Sequence, residues 1–146
     1  MAAARFLPTI QGMQAATPAI LVIDDNDAVR SLIASILEMM NVRTLQAQSG
    51  EEGIEIAQRN SCDAIMCDIY MPGIGGLETI RRLRSDPQTA HVPAIVISGH
   101  PDGEDAATVK DLGVHCFIGK PFTFVEVINA VRGALKLNEQ ETLSAA

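Results

Sequence analysis

Hydrophobic residues along this chain fall into two alternating patterns: short unbroken runs, and longer stretches in which they recur every three or four positions. Ala19-Ile20-Leu21-Val22-Ile23 is the first run and ends at Asp24. A run of that length without polar interruption reads as a strand buried on both faces. Asn26 or Asp27 can then cap a helix whose Val29, Leu32, Ile33, Ile36, Leu37 and Met40 share one face. A short strand over Val42–Ala47 follows, then Gly50 and a helix from Glu51 to about Arg59. Ala64-Ile65-Met66-Cys67 is the third run, ending at Asp68, and Pro72, Gly73, Gly75 and Gly76 force a loop after it. Leu77, Ile80 and Leu83 mark a helix closed off by Pro87. Pro93-Ala94-Ile95-Val96-Ile97 reads as a fourth strand ending at Ser98. Gly99, Pro101 and Gly103 make a loop before a weakly amphipathic helix near Asp105–Leu112. A fifth strand, Val114–Ile118, runs into Gly119-Lys120-Pro121, and a last helix carries Phe124, Val127, Ile128, Val131 and Leu135 on one face.

Five strand–helix units in strict alternation call for an α/β fold with a doubly wound parallel sheet. Parallel strands need crossover connections, and right-handed crossovers set helices on both faces. Residues 18–138 form this one domain, with Met1–Thr17 expected as a loose N-terminal tail and Glu139–Ala146 as a C-terminal one. In such sheets ligands sit at the carboxyl ends of the strands, near the point where strand order reverses. That rule selects which polar residues matter.

Composition narrows the chemistry. At 146 residues the chain can bury a real core, and 47% hydrophobic with 20% charged residues describes a globular domain. The net charge of −7 and 3% aromatic residues argue against a phosphate backbone or stacked bases as direct partner. No apolar run approaches the ~20 residues needed to span a bilayer, and the N-terminus makes a poor signal peptide. Cys62, Cys67 and Cys116 match no metal-ligand spacing; Cys67 and Cys116 lie in apolar runs and are expected as buried small hydrophobes in a reducing, cytoplasmic setting. His91, His100 and His115 are dispersed, with only His100 near the strand ends.

The residues closing strands one, three, four and five are Asp24-Asp25, Asp68, Ser98 and Lys120. Taken singly, each is an ordinary turn, cap or surface residue. Together at the ends of four strands they would share one crevice. Three carboxylates so placed raise each other's pKa unless a hard cation joins them, and Mg²⁺ suits carboxylates plus phosphate oxygens. Lys120 and the Ser98 hydroxyl can reach phosphoryl oxygens. The chemistry that fits is phosphoryl transfer onto a carboxylate.

Four motifs then carry a family resemblance: Leu21-Val22-Ile23-Asp24-Asp25, Asp68-Ile69-Tyr70-Met71-Pro72-Gly73 with Gly76-Leu77, Ile97-Ser98-Gly99-His100, and Gly119-Lys120-Pro121-Phe122. Over about Ala19 to Leu137 the chain resembles the receiver domains of two-component response regulators, in the manner of single-domain chemotaxis regulators. The resemblance implies a flavodoxin-like sheet of order 2-1-3-4-5 and makes Asp68 the phosphoacceptor. It implies that Asp25, Asp68 and the Tyr70 carbonyl bind Mg²⁺ directly, with Asp24 binding through water, and that Ser98 and Lys120 hold phosphoryl oxygens. It further implies a cis bond before Pro121, and a switch made of Ser98 and the aromatic Phe117. Ser98 stands where Thr is commoner, Tyr70 brings a bulky ring beside the phosphoacceptor, and Phe117 lacks a hydroxyl.

A receiver of this kind takes its phosphoryl group from a histidine kinase or histidine phosphotransfer protein and signals to a protein target. It is not a turnover enzyme, since it catalyses only its own phosphoryl transfer and dephosphorylation. The fourth helix, fifth strand and fifth helix form the expected output face, which could also serve a homodimer. Two other readings compete. Asp25-Asn26-Asp27 fits the Asp-x-Asp start of a haloacid-dehalogenase-type phosphatase, but beyond Lys120 only the unpaired Glu126, Glu139 and Glu141 remain to bind metal. A receiver-like interaction module without phosphorylation would have no need of Asp24, Asp25, Asp68, Ser98 and Lys120 together.

Overall fold

The computed structural model describes residues 17–99 and 106–145. Strands β1 (Ala19–Ile23), β2 (Arg43–Ala47), β3 (Ala64–Asp68), β4 (Ala94–Ser98) and β5 (Cys116–Gly119) alternate with five helices. These are α1 (Asp27–Met39), α2 (Gly50–Arg59), α3 (Gly75–Ser85), α4 (Ala106–Asp111) and α5 (Phe124–Ala145). All strand pairs are parallel and their order is β2-β1-β3-β4-β5. The doubly wound α/β expectation and the 2-1-3-4-5 order hold.

Sequence chemistry explains the elements. Every residue of β1, β3 and β4 is buried, as unbroken apolar runs require of strands covered on both faces. Alternate residues feed two cores. Ile20, Val22, Met66, Ile95, Ile97 and Ile118 pack with α1 and α5, through Ile33, Ile36, Leu37, Val127 and Val131. Leu21, Ile23, Ile65, Cys67 and Val96 pack on the other face with Ala57, Ile80, Leu83 and Val109. Each large aliphatic side chain so buried contributes about 1.5–3 kcal/mol. Helix α1 starts at the N-cap Asn26, whose side chain accepts from the Val29 N–H at 3.0 Å. It ends where Asn41 takes a φ of 59°, a conformation asparagine tolerates better than most residues.

Several expectations need correction. The stretch expected as a C-terminal tail is helical through Ala145, because Glu139, Gln140, Glu141 and Leu143 are good helix formers and no glycine or proline interrupts them. Phe124 and Leu32, placed on the apolar faces of their helices, are 52% and 42% exposed. Phe124 is the first residue of its helix. Cys67 is buried as expected, but Cys116 is only partly so, since it opens the edge strand β5. The fifth strand starts at Cys116 rather than Val114. The expected N-terminal tail up to residue 16, His100 and Asp105 lie outside the described residues.

Candidate functional site

Register brings the polar strand ends together. Ile23 pairs with Cys67, so one further step sets Asp24 beside Asp68. Asp68 pairs with Ile97 and Ser98 with Gly119, which leaves Lys120 immediately beyond the fifth strand. Backbone bonds extend the ladder past the last paired residues: Asp24 N–H to Ala47 carbonyl, Ile69 N–H to Ile97 carbonyl, and Lys120 N–H to Ser98 carbonyl, at 3.1, 3.1 and 2.8 Å. The site therefore rests on sheet backbone rather than on free loops.

One carboxylate oxygen each from Asp24, Asp25 and Asp68 lies within 4.8 Å of the others. Asp24 and Asp68 are buried and Asp25 is exposed at the mouth. Lys120 Nζ lies 3.2 Å from Asp24 Oδ2 and 3.3 Å from Asp68 Oδ2, so one ammonium bridges both buried carboxylates. The other Asp24 oxygen, Oδ1, accepts from the Asn26 N–H at 2.9 Å. Ser98 is fully buried at the end of β4. The Lys120–Pro121 peptide bond is cis.

Burial pushes the Asp68 carboxyl above its ordinary value, and the neighbouring Asp24 carboxylate adds to the rise; Lys120 and the Tyr70 backbone N–H only partly oppose them. Burial alone would lower the Lys120 ammonium, yet Asp68 and Asp24 together hold it above the usual lysine value. The two directions describe one imbalance, in which a single cation serves two crowded buried carboxylates. Among the described residues the donor set consists of hard carboxylate oxygens without sulfur or imidazole, which fits a Mg²⁺-type ion.

The chain entering α3 is pressed onto the end of β3. A Cβ at Gly76 would stand 2.0 Å from the Asp68 carbonyl oxygen, so only glycine fits there, and its N–H donates to the Ile69 carbonyl at 2.9 Å. Gly73, at φ 82°, supplies the left-handed turn that leads there. Tyr70 is 51% exposed. Phe117 stays out of the carboxylate cluster; it pairs with Val96 and is half-buried against the core that contains Val109.

Sequence reasoning missed Arg30. A charged residue inside the first helix reads as solvent-facing, yet Arg30 is buried. Its Nη1 donates to the Asp24 carbonyl at 2.6 Å and its Nε to Gln46 Oε1 at 3.2 Å, while Nη2 pairs with Asp27. Asp27, which the phosphatase reading needs beside Asp25, is thus turned to Arg30 with 83% of its side chain exposed.

A parallel sheet of this order with three carboxylates and a lysine at its carboxyl edge defines a receiver domain. The profile of the response regulator receiver domain matches residues 20–132, and the chain belongs to that family. Its function is that of a phosphorylation-activated response regulator receiver of two-component signalling. The polar-differentiation response regulator DivK of Brucella ovis is 27% identical over 120 residues, covering 80% of this chain and 98% of DivK. Chemotaxis protein CheY4 of Vibrio cholerae shares the fold at a TM-score of 0.78 and 23% identity, over 82% of this chain and 100% of that one. The receiver domain of sensor histidine kinase PA1611 of Pseudomonas aeruginosa aligns with a TM-score of 0.74 and 24% identity, over 82% of this chain and 98% of that one. That domain was solved with a magnesium ion coordinated in its active site cleft. Among the described residues no helix is long and apolar enough to cross a membrane.

Proposed function

We propose that Asp68 is the phosphoacceptor, that Asp24, Asp25, Asp68 and the Tyr70 carbonyl hold Mg²⁺, and that Ser98 and Lys120 bind the phosphoryl oxygens. The observation that carries this is the three-carboxylate cluster, within 4.8 Å, bridged from one side by Lys120. The magnesium in the cleft of the PA1611 receiver supports the choice of ion.

The donor is the phosphoimidazole of a histidine kinase or histidine phosphotransfer protein. An Asp68 carboxylate oxygen attacks phosphorus; the P–O bond forms as the P–N bond breaks, and the departing imidazole nitrogen keeps the electron pair and takes a proton from water. Mg²⁺, when bound, offsets the negative charge of the carboxylates and phosphoryl oxygens. Lys120 and the Ser98 hydroxyl orient the group for in-line transfer, which is most of what such a reaction needs. Water attack on the acyl phosphate later restores the carboxylate. The protein is both site and substrate, and so is not a turnover enzyme.

The message leaves through α4, β5 and α5 to a protein target, with pairing of two copies through that face a further output. The free cysteines support a reducing, cytoplasmic location.

Intact-mass spectrometry after phosphoramidate and Mg²⁺ treatment tests this reading. The expected result is one phosphoryl group per chain, absent in Asp68→Asn and abolished by EDTA. Undiminished labelling of Asp68→Asn, or labelling at Asp25, overturns it.

A further inference from the structure

Arg30 is a cation buried beside an acidic site that it does not enter. Burying a guanidinium is costly unless its donors are satisfied, and here each arm has a partner. Nη1 holds the Asp24 carbonyl at 2.6 Å, Nε holds Gln46 Oε1 at 3.2 Å, and Nη2 holds Asp27. The Asp24 carbonyl belongs to the peptide that joins Asp24 to Asp25. Fixing that carbonyl fixes the plane of the peptide, and with it the direction in which Asp25 leaves the strand.

The neighbouring contacts restrain the same short segment from other sides. The Asp24 N–H is tied to Ala47, and the Asp24 carboxylate takes the Asn26 N–H. Neither of these bonds constrains the Asp24 carbonyl. Arg30 does so from α1, and Gln46 on β2 steadies its guanidinium.

We propose that Arg30 is a positioning residue for the acidic cluster: by clamping the Asp24–Asp25 peptide it sets the Asp25 carboxylate against Asp24 and Asp68, and so sets the affinity for a divalent cation. The proposal rests on the reading of that cluster as a Mg²⁺ site.

Charge and geometry give opposite signs, which makes the idea testable. Removing a positive charge near three carboxylates would, through Coulomb attraction alone, tighten Mg²⁺ binding. Losing the clamp instead lets Asp25 swing away and weakens binding, by about tenfold for a residue that orients metal ligands. Arg30→Lys keeps the charge but offers a single ammonium that cannot span all three acceptors; it should fall between wild type and Arg30→Met.

The experiment is calorimetric titration of the full chain with Mg²⁺ alone, on wild type, Arg30→Met, Arg30→Lys and Asp27→Asn. Circular dichroism in EDTA checks that each variant is folded. The inference expects about tenfold weaker binding in Arg30→Met, a smaller loss in Arg30→Lys, and near-wild-type binding in Asp27→Asn, which leaves the Asp24 carbonyl contact intact. A residue that merely stabilised the fold would lower the thermal midpoint and leave the Kd of the folded protein unchanged. Equal or tighter binding in Arg30→Met therefore overturns the inference while the metal reading stands. Should Arg30→Met not fold, unchanged affinity in Arg30→Lys overturns it equally. No binding by wild type removes the metal reading itself, and the inference with it.

Discussion

Asp68 sits in an environment that disfavours its own charge. Burial and the adjacent Asp24 carboxylate raise its pKa, and the shared Lys120 ammonium does not fully offset them. For a carboxyl raised above its unfolded value, the stability contribution is complete below the ordinary aspartate value of 3.8 and is lost as pH rises through the higher folded value. In EDTA, Asp68→Asn should therefore raise the thermal midpoint near neutral pH, and the gain should shrink as pH falls toward about 4. Scanning calorimetry at several pH values checks this, and a gain independent of pH would contradict it. The same residues show what the sequence reveals at this scale. Asp24, Asp25, Asp68, Ser98 and Lys120 were legible because each closes an apolar run, and strand ends in a parallel sheet share one edge. Arg30 was not legible, because its acceptors come from three separate places in the chain: a strand-end carbonyl, a side chain of β2 and one of α1.

At the scale of elements, α4 is short and contributes one buried side chain among those described, Val109. Its C-terminal end is nevertheless fastened. Arg84, from the last turn of α3, donates to the Leu112 and Gly113 carbonyls at 3.1 and 3.4 Å, and to those of Ala90 and Val92 at 3.1 and 2.6 Å. One guanidinium thus ties the α4–β5 turn to the segment leading into β4. Arg84→Met should destabilise the domain by about 1–3 kcal/mol, because it strips partly buried carbonyls of a charged donor. Urea unfolding should show this as a lower midpoint with an unchanged slope; an unaltered midpoint would mean that water replaces the arginine fully. Nothing in the helical periodicity around Leu83 and Ser85 announces this brace, whereas the helix itself was plain from Leu77, Ile80 and Leu83. Element ends were harder to read than element identities. The true end of α5 lies beyond Leu137, because periodicity fades there while helix propensity does not.

Across the whole molecule, burial falls from the middle of the sheet to its edges. Strands β1, β3 and β4 are buried throughout, while β2 and β5 are only partly so. The proposed output face lies on the β5 side of that gradient. Beryllofluoride, which mimics an acyl phosphate on a carboxylate, should therefore shift NMR resonances beyond the loops around Asp68. Val109, Leu112 and Phe117 should be among them, since Ser98 is directly paired to the end of β5. Shifts confined to the site would refute such propagation. The partial burial of the β5 edge has a consequence for how a signal can leave the protein. Local opening free energy is smallest where few apolar groups are covered. The strands that carry the acidic residues thus belong to the part of the molecule that opens last, and the edge proposed as the output face to the part that opens first. A modification of the rigid portion can then redistribute the populations of the looser one while the domain stays folded.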